Sequence, residues 1–265
     1  MAHRLILTER QRHDLMALPA DESSMLGYYV LSDEDIIRIK QKRGDYNRLG
    51  FALQLCALRY PGRYLNADDV LPTAMIIFIG VQIGLSEQQL SEFTYKSVTR
   101  YEHLRVLQQD YSYRPFHSCE EEFLPWLTQA ALETRNTAEL AALFVQECRK
   151  RRIILPGITV IERLCADARV VAEREIVRGI ASRLDNRMKQ KLHAMLAETV
   201  DGRLTVHGWL KRFEAGHNSA DVNRLLDRLE YLQELDIPES LLEDIPSHRV
   251  IWLRQQGEAY YADGL

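Results

Sequence analysis

The stretch Leu31-Ser32-Asp33-Glu34-Asp35-Ile36-Ile37-Arg38-Ile39-Lys40-Gln41-Lys42-Arg43-Gly44-Asp45-Tyr46-Asn47-Arg48-Leu49 reads as two helices joined by a tight turn. Ser32 offers a capping hydroxyl, and Asp33, Glu34 and Asp35 put three carboxylates where a helix N-terminus carries partial positive charge. Ile36 and Ile39 carry that helix to about Gln41, and Gly44 stops it. Asp45 is expected to cap the second helix, in which Tyr46, Leu49, Leu53, Cys56 and Tyr60 recur at the spacing of one buried face until Pro61-Gly62 ends it.

Outward from this pair, helical spacing continues through nearly every segment while strand-like alternation is scarce. The expected class is therefore all-α, two helical modules with helix-turn-helix-like units. Pro72 suits a first helical turn, and the run Ala74-Met75-Ile76-Ile77-Phe78-Ile79 is apolar all round, which predicts the central helix of the first module. Ser86 with Gln89 and Thr99 with Glu102 form two capping boxes, with Leu90 and Phe93 behind the first and Leu104 and Leu107 behind the second. Helix, short helix, turn, helix is the order of a helix-turn-helix unit.

Glu120-Glu121-Glu122 opens a further helical stretch that ends in Arg149-Lys150-Arg151-Arg152, and Pro156-Gly157 reads as the break between halves. The expected organisation is a first DNA-binding module over 1–118, connecting helices over 119–155 and a second DNA-binding module over 156–265. Helices are expected near 159–173, 175–184 and 186–198, with a turn at Asp201-Gly202. The longest periodic face of the second half, Val222, Leu225, Leu229 and Leu232, reads as core.

The chain has 265 residues, 46% of them hydrophobic, enough for a substantial core. Its 34 Lys plus Arg against 38 Asp plus Glu leave a formal charge of -4, which argues against indiscriminate coating of nucleic acid. Any DNA contact must come from local patches. Cys56, Cys119, Cys148 and Cys165 form no C-x-x-C pair and suggest neither zinc nor disulfides, so reduced thiols in a cytoplasm are expected. The apolar run from Ala74 to Val81 is too short to span a bilayer, and the N-terminus lacks a secretory core, so no membrane association is expected.

Catalytic signatures are poor. The eight histidines show no H-E-x-x-H spacing, there is no phosphate-binding G-x-x-x-x-G-K-[ST] loop, and no cysteine has a neighbouring histidine that suggests a nucleophile pair. Asp68-Asp69 and Asp33-Glu34-Asp35 sit where helix N-termini attract acids, so neither a metal nor a catalytic centre is expected here.

Charge is more informative. Arg38, Lys40, Lys42, Arg43, Arg48, Arg59 and Arg63 face one acid, Asp45, across two helices and a turn. Arg48 and Arg59, eleven residues apart, line one side of a helix at roughly 16 Å, a spacing that can track phosphates. Asn47 lies in the same segment. A second cluster, Lys96, Ser97, Thr99, Arg100 and His103, gathers at the start of the later capped helix, where helix-turn-helix proteins reach base edges. Arg100 is placed to read guanine, and the hydroxyls to meet phosphates. The third cluster is Arg149, Lys150, Arg151 and Arg152, for which a cationic last turn complementing the helix dipole is the alternative. Arg183, Arg187, Lys189, Lys191, Lys211 and Arg212 give the second half a candidate face of its own. Each patch can equally be a solvated helix surface.

Taken together, Asp45-Tyr46-Asn47-Arg48-Leu49-Gly50-Phe51-Ala52-Leu53-Gln54-Leu55-Cys56 and Leu58-Arg59-Tyr60-Pro61-Gly62-Arg63 closely resemble the opening domain of Tn-three family replicative transposases. The likeness extends to Leu31-Ser32-Asp33-Glu34-Asp35, Gln82-Ile83-Gly84-Leu85, Thr99-Arg100-Tyr101-Glu102-His103-Leu104 and Ile154-Leu155-Pro156-Gly157-Ile158-Thr159-Val160-Ile161-Glu162-Arg163-Leu164. It spans the whole chain and weakens after about Gly202. The resemblance implies recognition of double-stranded DNA at transposon terminal inverted repeats, with the remainder of the transposase as partner. It also implies an RNase H-like domain using Mg²⁺ on three acids, expected beyond Leu265 and so without a cofactor in this chain. A stand-alone operator-binding regulator, a stable homodimer, is the alternative; a helical protein-interaction scaffold pairing through Val222 to Leu232 is a third reading.

Overall fold

The computed structural model describes residues 7–66, 68–91, 100–134, 136–200, 202–212 and 219–262, with the backbone alone at positions 87, 91, 100, 101, 239, 256 and 258–262. The described residues are mostly helical, in two compact units, Met1–Ala172 and Glu173–Leu265. In order, the helices are α1 (Glu9–Met16), α2 (Glu22–Tyr28), α3 (Asp33–Lys40), α4 (Asp45–Arg59), α5 (Thr73–Gln82), α6 (Glu87–Ser91), α7 (Arg100–Asp110), α8 (Glu120–Glu133), α9 (Thr137–Lys150), α10 (Ile158–Arg183), α11 (Asn186–Ala197), α12 (Val206–Lys211), α13 (Ser219–Leu235) and α14 (Ser247–Ala262). Strand is confined to two-residue pieces. Arg114–Pro115 pairs in parallel with Ile153–Ile154, and Thr199–Val200 pairs antiparallel with Leu204–Thr205 across Gly202 at φ +67°.

The capping signals act locally, as read. Ser32 and Asp35 cap α3 reciprocally, and the Ser86 amide donates to Gln89 Oε1 at 2.8 Å ahead of α6. The Thr99 box and Phe93 lie outside the described residues. At α4 the cap is Gly44 rather than Asp45, because the turn needs φ +78°, which glycine adopts without a Cβ clash.

The first unit holds two cores. In one, α4 is the central helix: every residue from Leu49 to Leu58 is buried, enclosed by α3, α5 and α7. This corrects the expectation for α5, which buries Met75, Ile79 and Gly80 but leaves Ile77 and Val81 exposed. Gly80 is the close-approach point, since a Cβ there would meet Leu90 Cδ2 at 2.3 Å and its Cδ1 at 3.0 Å. Gly80→Ala is therefore expected to push α6 away and cost about 1–3 kcal/mol, read as a lowered urea midpoint; an unchanged midpoint would show that Leu90 simply turns aside.

The second core is built by α8, α9 and the first half of α10 around Phe116, Phe123 and Phe144, whose rings lie 5.0–5.9 Å apart. Helix α10 buries Ile161, Leu164, Cys165, Ala168 and Ala172, a stripe at helical spacing that ends at Ala172. That is why the chain divides there, and why the observed division differs from the expected one. Residues 119–155 are half of a core rather than connectors, and Pro156-Gly157 is a turn inside the unit. Continuous helix also replaces the break expected near residue 174. The cores are joined by the Leu155 amide donating to the Gly62 carbonyl at 2.9 Å; within the second core Glu162 holds the N-terminal segment to α10, its carboxylate accepting from Arg12 (3.0 and 2.7 Å) and from the Leu7 amide (3.1 Å).

All four cysteines are buried free thiols, and burial pushes Cys56 and Cys165 up to about 12. Such thiols are inert at neutral pH. Among the described residues no helix is long and apolar enough to cross a membrane.

In the second unit, Trp209 of α12 meets Tyr231 of α13 edge-on at 6.0 Å, and the Lys191 ammonium donates to the Glu234 carbonyl at 2.6 Å. Arg183 pairs with Asp244 at 2.9 Å, while Arg187, Lys211 and Arg212 are exposed.

Candidate nucleic-acid interface

Helices α4 and α7 run side by side in the same direction, so the seven cations of the first cluster separate into two ends. At one end, the turn after α3 meets the first turn of α4 and the start of α7. Asn47 Oδ1 accepts from His103 Nε2 at 2.7 Å, and Gln89 Nε2 donates to Asp45 Oδ2 at 2.8 Å, bringing α6 to the same place. Arg48 is partly consumed there: it donates to Asp45 (3.0 Å) and to the carbonyls of Lys42 (3.0 Å) and Lys40 (3.4 Å). It thus satisfies the orphan carbonyls that end α3. Lys42 lies half-buried with its ammonium 4.6 Å from the Phe51 ring centroid. Lys40 and Arg43 are exposed and make no ion pair among the described residues.

At the other end the cations are structural. Arg59 donates to both oxygens of Asp35 at 2.8 and 2.9 Å and to the Val30 carbonyl at 3.3 Å. Asp35 is 2% exposed and also accepts from the Ser32 amide (2.7 Å) and the Tyr111 hydroxyl (3.0 Å). Arg63 forms a two-pronged pair with Asp69 (2.7 and 3.0 Å) and donates to the Met16 carbonyl. Arg38 pairs with Glu34 at 2.7 Å and lies over the Tyr111 ring. These acids lay beyond the one, Asp45, visible within the segment. Arg48 and Arg59, aligned along α4, are thus each held by internal partners.

His103 is a core residue, correcting its reading as a base or phosphate contact. It is 4% exposed and meets the Phe51 ring edge-on at 5.5 Å. Burial, with a smaller contribution from Lys42, pulls its pKa down to about 4, so it is neutral. With Nε2–H donated to Asn47, Nδ1 is a buried lone pair without a partner among the described residues. Lys96, Ser97 and Thr99 lie outside the described residues; Arg100 is the first residue of α7, described by its backbone alone. What the structure adds is placement: the start of α7 and the Lys40–Arg43 turn belong to one end of the unit.

The third cluster is mostly internal as well. Arg149 donates to the Pro61 carbonyl at 2.8 Å and lies 4.4 Å from the Tyr60 ring centroid, and burial lowers its pKa. Arg151 pairs with Glu147 at 2.7 Å beside the Phe123 and Trp126 rings. Arg152 is exposed with φ +54° and donates to the Tyr111 carbonyl. Lys150 is exposed, with Glu147 at 3.8 Å.

The buried acids were the residues that sequence reasoning missed. Glu162 had a signal, an acid on the apolar stripe of α10. Asp35 had none, because its capping role explained it fully. These acids do not fit a Mg²⁺ site, since Asp35, Asp69 and Glu162 are each taken by an arginine, and among the described residues no three metal-ligating side chains converge.

The model of the family described as a domain of unknown function, DUF4158, matches residues 6–168. The transposase for transposon Tn501 of Pseudomonas aeruginosa is 33% identical over 97% of this chain, that for Tn3926 of Escherichia coli 32% over 97%, and that for Tn1546 of Enterococcus faecium 31% over 97%. The chain spans 26% of the length of each of these relatives. With a family model matching more than half of it and transposases aligning along nearly all of it, the chain belongs to the DUF4158 family and is a relative of the Tn-three family transposases.

Proposed function

We propose that this chain binds double-stranded DNA in a sequence-specific way, as the N-terminal, inverted-repeat-recognising part of a transposase whose catalysis resides outside it. The observation that carries the reading is the convergence of two exposed cations without an ion pair among the described residues, Lys40 and Arg43, with the beginning of α7, fixed by the Asn47–His103 hydrogen bond at 2.7 Å. A helix N-terminus beside free cations offers amide donors for phosphates and a route for side chains into a major groove. The chain's overall negative charge leaves such a local patch to set the contact. Arg38, Arg59, Arg63, Arg149 and Arg151 serve the fold in this reading, and Lys150 and Arg152 are at most outlying phosphate contacts.

Mobility-shift titrations on cloned transposon ends, at several salt concentrations, test it. Lys40→Ala and Arg43→Ala are each expected to weaken binding and to reduce the log–log salt slope by about 0.9, with additive loss in the double variant. Unchanged slopes in the double variant would remove this end of the unit from the interface.

A further inference from the structure

Helix α13 is arranged inside out. Its residues buried within the second unit are Asp221, Arg228 and Leu235, one in every seven. Asp221 is held by Arg224, and Arg228 donates to the Arg212 carbonyl with its guanidinium 5.7 Å from the Trp209 ring centroid. The apolar residues lie on the adjoining face, about a quarter turn round the helix: Val222, Leu225, Leu226, Leu229 and Leu232 are 48–55% exposed. An outward stripe at i, i+3, i+7 and i+10 is the seam of a two-helix contact, with Val222 and Leu229 at one heptad position and Leu225 and Leu232 at the other.

We propose that this stripe is a self-association surface, occupied by α13 of a second copy of this chain in antiparallel orientation. The spacing is self-complementary about a two-fold axis level with residue 227: Val222 meets Leu232 of the other copy and Leu225 meets its Leu229, each contact occurring twice. That reciprocity is what a two-fold interface requires. Five half-exposed side chains present on the order of 400 Å² of contiguous apolar surface, the size at which a patch marks an interaction site. Two stripes face to face bury roughly 800–1,000 Å², at the threshold of specific association, so the dimer is a reversible one. Asp221, Arg228 and Leu235 anchor the helix along the adjoining face and leave the seam open.

The test uses the whole chain without DNA, so its outcome is independent of the DNA-binding reading. At about 50 µM, sedimentation should give twice the 30.8 kDa chain mass. Leu225→Glu with Leu229→Glu should weaken association about a hundredfold or more, leaving a monomer with unchanged helical circular dichroism. A native chain that is monomeric at that concentration, or a dimer that survives the double substitution, overturns the proposal. Oxidising an equal mixture of Val222→Cys and Leu232→Cys chains reads the same seam without added charge. The mixed disulfide is expected, and self-linked dimers in its place overturn the antiparallel pairing.

Discussion

Asp35→Ala is expected to destabilise the protein by about 3–5 kcal/mol, the cost of stranding a charge that had a buried partner. Three elements lose a partner at once: the Arg59 guanidinium, the Tyr111 hydroxyl that closes α7, and the Ser32 amide at the start of α3. Arg59 is itself only 28% exposed, so water does not fully replace the lost carboxylate. Replacing both partners with apolar residues, Asp35→Leu with Arg59→Met, should recover a large part of the loss, because no unpaired charge remains. Urea unfolding of the two variants decides it, and a double variant as unstable as Asp35→Ala would show that packing or capping, not the orphaned charge, was responsible. Acid carries the same signature. Burial alone would push the Asp35 carboxyl up, but hydrogen bonds from Arg59 and Ser32 outweigh it and hold the group below its usual value. A depressed carboxyl stabilises the fold fully above its unfolded pKa of about 3.9 and loses that contribution as pH falls further through the folded value.

A second loss is expected at milder acidity. His103 has its pKa drawn from the ordinary 6.5 down to about 4, first by burial and then by Lys42. Between those two values the unfolded chain binds a proton that the folded chain refuses, so stability falls as pH is lowered through this window. One group shifted this far contributes on the order of 3 kcal/mol, complete above about pH 6.5 and gone below about pH 4. The cause is structural: a proton on Nδ1 would be a buried donor with no acceptor among the described residues, next to the Phe51 ring and the Lys42 ammonium. His103→Gln can keep the bond to Asn47 but does not titrate. It should be less stable at pH 7, while the difference from the native chain shrinks toward pH 4. Parallel pH profiles for the two proteins would rule out His103 as the source. The same bond ties the start of α7 to α4, so under the proposed function binding to transposon ends should also weaken in this range.

The local grammar of the chain was legible in its residues. The Ser32 and Ser86–Gln89 caps, the stop near Gly44, the C-terminal ends of α3 and α4 and the family motif around Asp45–Cys56 agree with the sequence reading, because each is settled by residues three or four apart or by the chemistry of one backbone position; the α4 cap, Gly44 in place of Asp45, does not. The candidate site was legible in its composition but not in its geometry. The sequence offers Arg59 and Arg63 as phosphate contacts, and the fold gives each an internal carboxylate, Asp35 from 24 positions away and Asp69. Helix α5 is the more apolar segment, yet α4 became the centre, since burial is conferred by the helices that surround an element. The stripe on α13 had the right period for a core and faces solvent, because period states that one face is apolar and is silent on what that face meets. By itself, then, the sequence determined the helices, their caps and the family. Which charges are spent inside the molecule, and which apolar face is left over, was decided only when distant segments packed, since both depend on partners that no local spacing encodes.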